Sequence, residues 1–158
     1  MSCSSIRFNH IYSCYRYTGI IREMLQQYKF MRDVALAEVI AQYMVFPRKR
    51  YDVIVPIPSS PSNDIIRTFN PVKYILDFKK IEYKDILAMT DRPKQFKLTQ
   101  KERMNIKNSM RIKKEIKLEN KSILLVDDIY TTGSTAHHAA ARLFHKKVRR
   151  LDMLTFAR

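Results

Sequence analysis

Cysteine is scarce in this chain of 158 residues: Cys3 and Cys14 are the only two, too few for a disulfide framework and in keeping with a reducing compartment. Long uncharged apolar runs are lacking as well, which argues against a membrane span. The first residues do not combine a basic start, an unbroken apolar stretch and a small-residue cleavage site, so no secretory leader is read and a cytoplasmic location is expected. No internal repeat or low-complexity tract stands out. Acidic residues are in short supply too. Fifteen stand against thirty basic ones, leaving a formal charge of +15 and a pI near 10.0, a balance that favours anionic partners such as nucleic acid, nucleotides or a phosphate-rich surface. Charge alone leaves the nucleic-acid partner open, because a lysine-rich chain can equally reflect coding bias or solubility.

What is present is concentrated in one place. A hydrophobic fraction of 46% in a chain of this length allows one domain with a core of its own. Within it, Ile123-Leu124-Leu125-Val126 has the look of a strand buried on both faces, Asp127 and Asp128 follow at its carboxyl end, and Thr131-Thr132-Gly133-Ser134-Thr135 turns into a helix. Hydroxyls of Thr131, Thr132, Ser134 and Thr135 and the amides around Gly133 can surround a phosphate at the helix N-terminus, where free N–H groups and the helix dipole favour an anion. Gly133 lets the backbone approach that phosphate closely. The two carboxylates suit the vicinal hydroxyls of a ribose, or a Mg²⁺ bridging ribose and pyrophosphate.

Along the rest of the chain, residues 1–18 are expected to form a small irregular arm, or a short strand within 11–17, ahead of one domain over 19–158. A long or interrupted amphipathic helix is expected over 20–44, with its break at 30–33, ended by Pro47. A strand over 51–56 leads into the loop Pro56-Ile57-Pro58-Ser59-Ser60. A helix over 64–78 follows, although Pro71 can instead begin it. Strands over 85–89, 122–126 and 149–156 and a helix over 134–145 complete the pattern. Residues 90–111 form a long polar loop of the kind that is usually functional. Strands alternating with helices predict an α/β fold: an open, mainly parallel sheet flanked by helices, with ligand bound beyond the strands' carboxyl ends. Tyrosines and basic residues in the first thirty positions resemble a stacking-plus-charge surface for single-stranded nucleic acid. Basic residues also cluster in Arg48-Lys49-Arg50 and in Lys146-Lys147-Val148-Arg149-Arg150, the latter expected to be a solvated turn. His137 and His138 fall in the first turn after the phosphate loop, where an exposed helix face is expected for at least one.

The stretch from Ile123 to Thr135 resembles the PRPP-binding signature of type I phosphoribosyltransferases nearly position by position, Tyr130 standing where a smaller aliphatic residue is usual. A narrower resemblance covers most of the chain. Tyr15-x-Tyr17-x-Gly19 with Tyr28-Lys29-Phe30, Asp52-Val53-Ile54-Val55-Pro56-Ile57-Pro58, Arg67-Thr68-Phe69-Asn70, Lys94-Gln95 with Leu98, Glu102-Arg103-Met104-Asn105 and the terminal Thr155-Phe156-Ala157-Arg158 are similar, in order and spacing, to the ComF/ComFC family associated with DNA uptake in natural competence. That resemblance implies a PRPP-binding, phosphoribosyltransferase-like protein with Mg²⁺ as cofactor. Asp127 and Asp128 would hold ribose and metal, Thr131 to Thr135 the 5-phosphate, and the loop from Pro56 to Ser60 would lie near the pyrophosphate. Lys94 and Arg103 would be the catalytic cations on or beside a loop covering the site. Implied partners are single-stranded DNA, a competence helicase and other DNA-uptake proteins. The alternative is an active Mg²⁺-dependent phosphoribosyltransferase of nucleotide metabolism or salvage. Three departures accompany the resemblance. Met31-Arg32-Asp33 lacks the glycine usual after Lys29. Thr68 stands where the family usually has glycine. Relatives often begin with a four-cysteine zinc ribbon, whereas Cys3, His10 and Cys14 supply at most three ligands, so no zinc site is expected and an upstream module is read as lacking.

Overall fold

The computed structural model describes residues 7–31, 33–59, 64–65, 68–89, 110–113 and 115–158. In chain order these form β1 (His10–Tyr15), α1 (Gly19–Phe30), α2 (Ala35–Tyr43), β2 (Val53–Pro56), α3 (Pro71–Phe78), β3 (Leu87–Met89), β4 (Met110–Ile112), β5 (Ser122–Ile129), α4 (Ser134–Phe144) and β6 (Arg150–Ala157). Four strands make an open sheet in the order β1-β6-β5-β2, every pair parallel. β3 and β4 pair separately as an antiparallel ribbon. The architecture is the expected one, a mainly parallel α/β sheet flanked by helices.

β5 lies inside the sheet and is covered on both faces, which is why its sequence is an apolar run instead of an alternation. Leu124 and Val126 pack with Leu25, Ile40 and Ile75 of α1, α2 and α3. Ile123 and Leu125 pack on the other side with Ala139 and Leu143 of α4 and with Leu87 and Met110 of the ribbon. Each fully buried aliphatic side chain of this kind stabilises the fold by roughly 1.5–3 kcal/mol.

Several elements differ from the sequence expectations. Of the two forms expected near the N-terminus, residues 10–15 take the short strand: they pair with β6 from His10↔Asp152 to Tyr15↔Ala157 and form an edge of the central sheet. β5 does not stop at Val126 but runs through both aspartates to Ile129, because β6 continues the ladder with Asp127↔Thr155 and Ile129↔Ala157. Of the two starts read for the helix over 64–78, α3 takes Pro71, which sits in its first turn after the N-cap Asn70. Asn70 Oδ1 accepts the N–H of Lys73 at 3.0 Å, satisfying one of the orphan donors of that helix end. The 20–44 helix is interrupted between Phe30 and Ala35, as its pattern indicated. β4 begins within the 90–111 segment read as loop, of which 90–109 lie outside the described residues; at three residues the strand is too short to carry a period.

The carboxyl ends of β2 and β5 lie side by side. Pro56 is opposite Val126, and the Ile57 N–H donates to the Val126 carbonyl at 2.8 Å. The 56–59 loop therefore leaves β2 next to Asp127.

Candidate active site

Strand alternation separates the acid pair. Asp127 follows Ile123 and Leu125 toward the α4 side, and Asp128 follows Leu124 and Val126 toward α1. Asp128 is 3% exposed, and the Lys29 Nζ at the end of α1 lies 2.7 Å from its Oδ1. That oxygen also accepts the N–H of Ile129 at 2.7 Å, while Asp127 Oδ1 accepts the N–H of Asp128 at 2.9 Å. Burial and the Asp128 charge push the Asp127 carboxyl well above the usual carboxylate range, against the opposing pull of Lys29 and the Asp128 amide.

Asp127 faces a small cavity of about 40 Å³ lined by Tyr130 and the whole of the 131–135 loop. Its size suits an anion of a few heavy atoms. Gly133 makes that cavity possible. It is the N-cap of α4 in the left-handed region, with φ 75° and ψ 2°, and a Cβ added there would collide with the Tyr130 hydroxyl beneath it. The Gly133 carbonyl accepts the first helical bond, from His137 N–H at 2.8 Å. N–H groups of the first helical turn have no intrahelical acceptor and point outward at the loop. Thr131, Thr132 and Ser134 are exposed and Thr135 is half-buried, so their hydroxyls border the same space. Tyr130, the departure from the signature, is buried under the loop with the Arg158 guanidinium 5.1 Å from its ring centroid. His137 is exposed and 5.5 Å from the Phe8 ring.

On the neighbouring strand end Pro56, Ile57 and Pro58 are buried and contribute shape, leaving Ser59 as the described polar side chain of that loop. Ser59 Oγ hydrogen-bonds Asp64 and accepts from Asn70 Nδ2 at 2.8 Å. Ser60, Lys94 and Arg103 lie outside the described residues. Two residues were not assigned this part in the sequence. Lys29 was visible only inside a family-like Tyr-Lys-Phe triplet, with nothing in its neighbourhood to pair it with Asp128. Asn70 carried an N-cap signal in front of Pro71, but its second bond, to Ser59, has no sequence signature.

A metal would find few ligands here. Among the described residues no group of three or more His, Cys, Asp or Glu side chains converges, and Asp128 is already paired. With Asp128 paired, Asp127 is the carboxylate of the acid pair left to hold a Mg²⁺, a donor set that would suit an ion bound mainly through a substrate's phosphates.

No family model matches the chain. It is 32% identical over 123 residues to competence protein ComFC of Streptococcus pneumoniae, which covers 77% of this chain and 56% of that protein. To competence protein ComFC of Bacillus subtilis it is 32% identical over 143 residues, 85% of this chain and 58% of that one. The chain thus spans a little over half the length of these curated relatives. Among solved structures, the allosteric regulatory enzyme of purine biosynthesis is 16% identical with a TM-score of 0.45, over 78% of this chain and 25% of that one. A hypoxanthine phosphoribosyltransferase from Staphylococcus aureus is 16% identical with a TM-score of 0.36, over 85% and 61%.

Proposed function

Because the chain belongs to the ComF/ComFC family over the segment it shares with these competence proteins, we propose that it acts in DNA uptake as a PRPP-binding, phosphoribosyltransferase-like protein. One observation carries this reading: the cavity under left-handed Gly133 opens beside Asp127 at the carboxyl end of β5. The 5-phosphate sits in that cavity, held by the first-turn amides of α4 and the hydroxyls of Thr131, Thr132, Ser134 and Thr135. Asp127 accepts hydrogen bonds from the ribose hydroxyls. Asp128 and Lys29 form a neutral buried pair that fixes the strand end beneath the sugar. Asp127 is the carboxylate that would hold a Mg²⁺ directly or through water, and the ion would supply positive charge against the pyrophosphate. The 56–59 loop flanks the pyrophosphate, and Lys94 and Arg103 are the cations that would balance charge on it as it departs. Single-stranded DNA and a competence helicase are the partners this reading assigns to the protein.

Calorimetric titration of PRPP with Mg²⁺ tests it. Wild type binds, and Asp127→Asn loses at least tenfold in affinity, the cost of one charge-assisted hydrogen bond. Heat absent from the wild-type titration, or equal affinity in the variant, contradicts it. Pyrophosphate release on adding candidate acceptors then distinguishes a transferase from a binding protein.

A further inference from the structure

The opposite edge of the sheet carries a second and larger depression. A groove of about 490 Å³ is lined by His10, Lys49, Arg50, Ser122, Arg149 and Arg150. His10, Ser122 and Arg150 open β1, β5 and β6, so in a parallel sheet the groove lies at the amino-terminal edge, roughly 16 Å along β5 from Asp127. Two of its cations are held in place. The Arg150 Nε donates to Asp152 at 2.9 Å, and its Nη2 lies 2.9 Å from His10 Nδ1. Arg149 Nη2 donates to Ser122 Oγ at 2.9 Å. Two carboxylates oppose the four cations: Asp152, which is fully buried beneath them, and Asp52, 3.9 Å from Arg149. The groove therefore keeps an excess of positive charge. Its rim also carries rings, with His10 stacked on Tyr12 at 5.8 Å and 14° between planes, and Lys49 Nζ 5.9 Å from the Tyr12 centroid.

We propose that this groove binds the phosphate chain of single-stranded nucleic acid, Lys49, Arg50, Arg149 and Arg150 tracking the backbone while a base rests on the Tyr12–His10 stack. Cations beside an accessible ring are the combination that recognises a single strand, because stacking on a side chain requires an unpaired base. The inference rests on single-stranded DNA being a partner and adds the surface that holds it. It also assigns Arg149 and Arg150 a ligand where their sequence run was expected to be a solvated turn.

Fluorescence anisotropy with a labelled oligothymidylate, at a series of salt concentrations, tests the assignment. Lys49, Arg50 and Arg149 are exposed, so a Lys49→Ala/Arg50→Ala/Arg149→Ala variant folds. It is expected to bind at least tenfold more weakly, with the slope of log affinity against log salt flatter by about 2, the share of three phosphate contacts on a single strand. Tyr12→Leu weakens binding with the slope unchanged, since stacking releases no counterions. PRPP titration of the same samples matches wild type. Equal affinity and slope in the triple variant, or tighter binding of duplex than of single strand, overturns the groove. Wild type that binds no oligonucleotide even at low salt overturns both the groove and the DNA partner, while its PRPP titration reports separately on the sugar-phosphate site.

Discussion

Individual side chains in this protein carry opposed demands of stability and binding. Asp127 is the clearest. Its folded carboxyl titrates above the ordinary range, so the folded state holds more protons than the unfolded one and stability falls as pH rises from the ordinary carboxylate value toward the raised one. Asp127→Asn removes that penalty. At neutral pH it is expected to gain about 1 kcal/mol in urea unfolding while losing PRPP, the trade seen where a functional group is kept at a cost to the fold. Gly133 has no such alternative. A Cβ meets the Tyr130 hydroxyl, and the left-handed backbone adds its own strain, so Gly133→Ala is expected to lower stability by roughly 1–3 kcal/mol, read from the denaturation midpoint. Thr68 is the reverse case. Its φ of 67° places a β-branched residue in the left-handed region.

At the scale of elements, Asp85 is the brace that deserves a test. It accepts from Lys73 of α3 and from Lys113 just after β4, both at 2.6 Å, tying the β3–β4 ribbon to the helix layer. Burial alone would raise its carboxyl, but Lys113 and Lys73 outweigh it and the net direction is downward. An acid lowered on folding contributes stability above its unfolded value, and the contribution is lost as pH falls through the folded one. Asp85→Asn is therefore expected to be less stable than wild type at neutral pH. The gap should close as pH drops below the ordinary carboxylate range, and a gap independent of pH would contradict the brace. Elements also differ in how openly the sequence declares them. β5 was legible because burial on both faces makes its run continuously apolar. Its extension through the aspartates was not, since it depends on the length of β6, a partner distant in sequence. β1 carries tyrosines, serine and cysteine at a sheet edge and lacks clean alternation. The start of α3 was left open between 64 and Pro71, and the Asn70 cap decides it.

Across the whole molecule, the parallel sheet separates two kinds of surface. Its carboxyl edge carries the acid pair and the Gly133 cavity, and its amino edge carries the cationic groove. The threonine-glycine loop, the acids and the proline loop could be read from sequence because each is a local run. What joins them could not: the parallel order β1-β6-β5-β2, and the ion pair between Lys29 and Asp128, unite residues about a hundred positions apart. The charge of +15 favours anionic partners without saying where its cations gather, and only the sheet shows that Lys49, Arg50, Arg149 and Arg150 share one groove. The central claim is that a sugar phosphate docks in the Gly133 loop. Titrating PRPP and Mg²⁺ into ¹⁵N-labelled protein and following backbone amide shifts tests it most directly. The largest, saturable shifts are expected at Gly133, Ser134, Thr135 and Asp127. Saturable shifts confined to other surfaces, or none in the loop at millimolar PRPP, would contradict it.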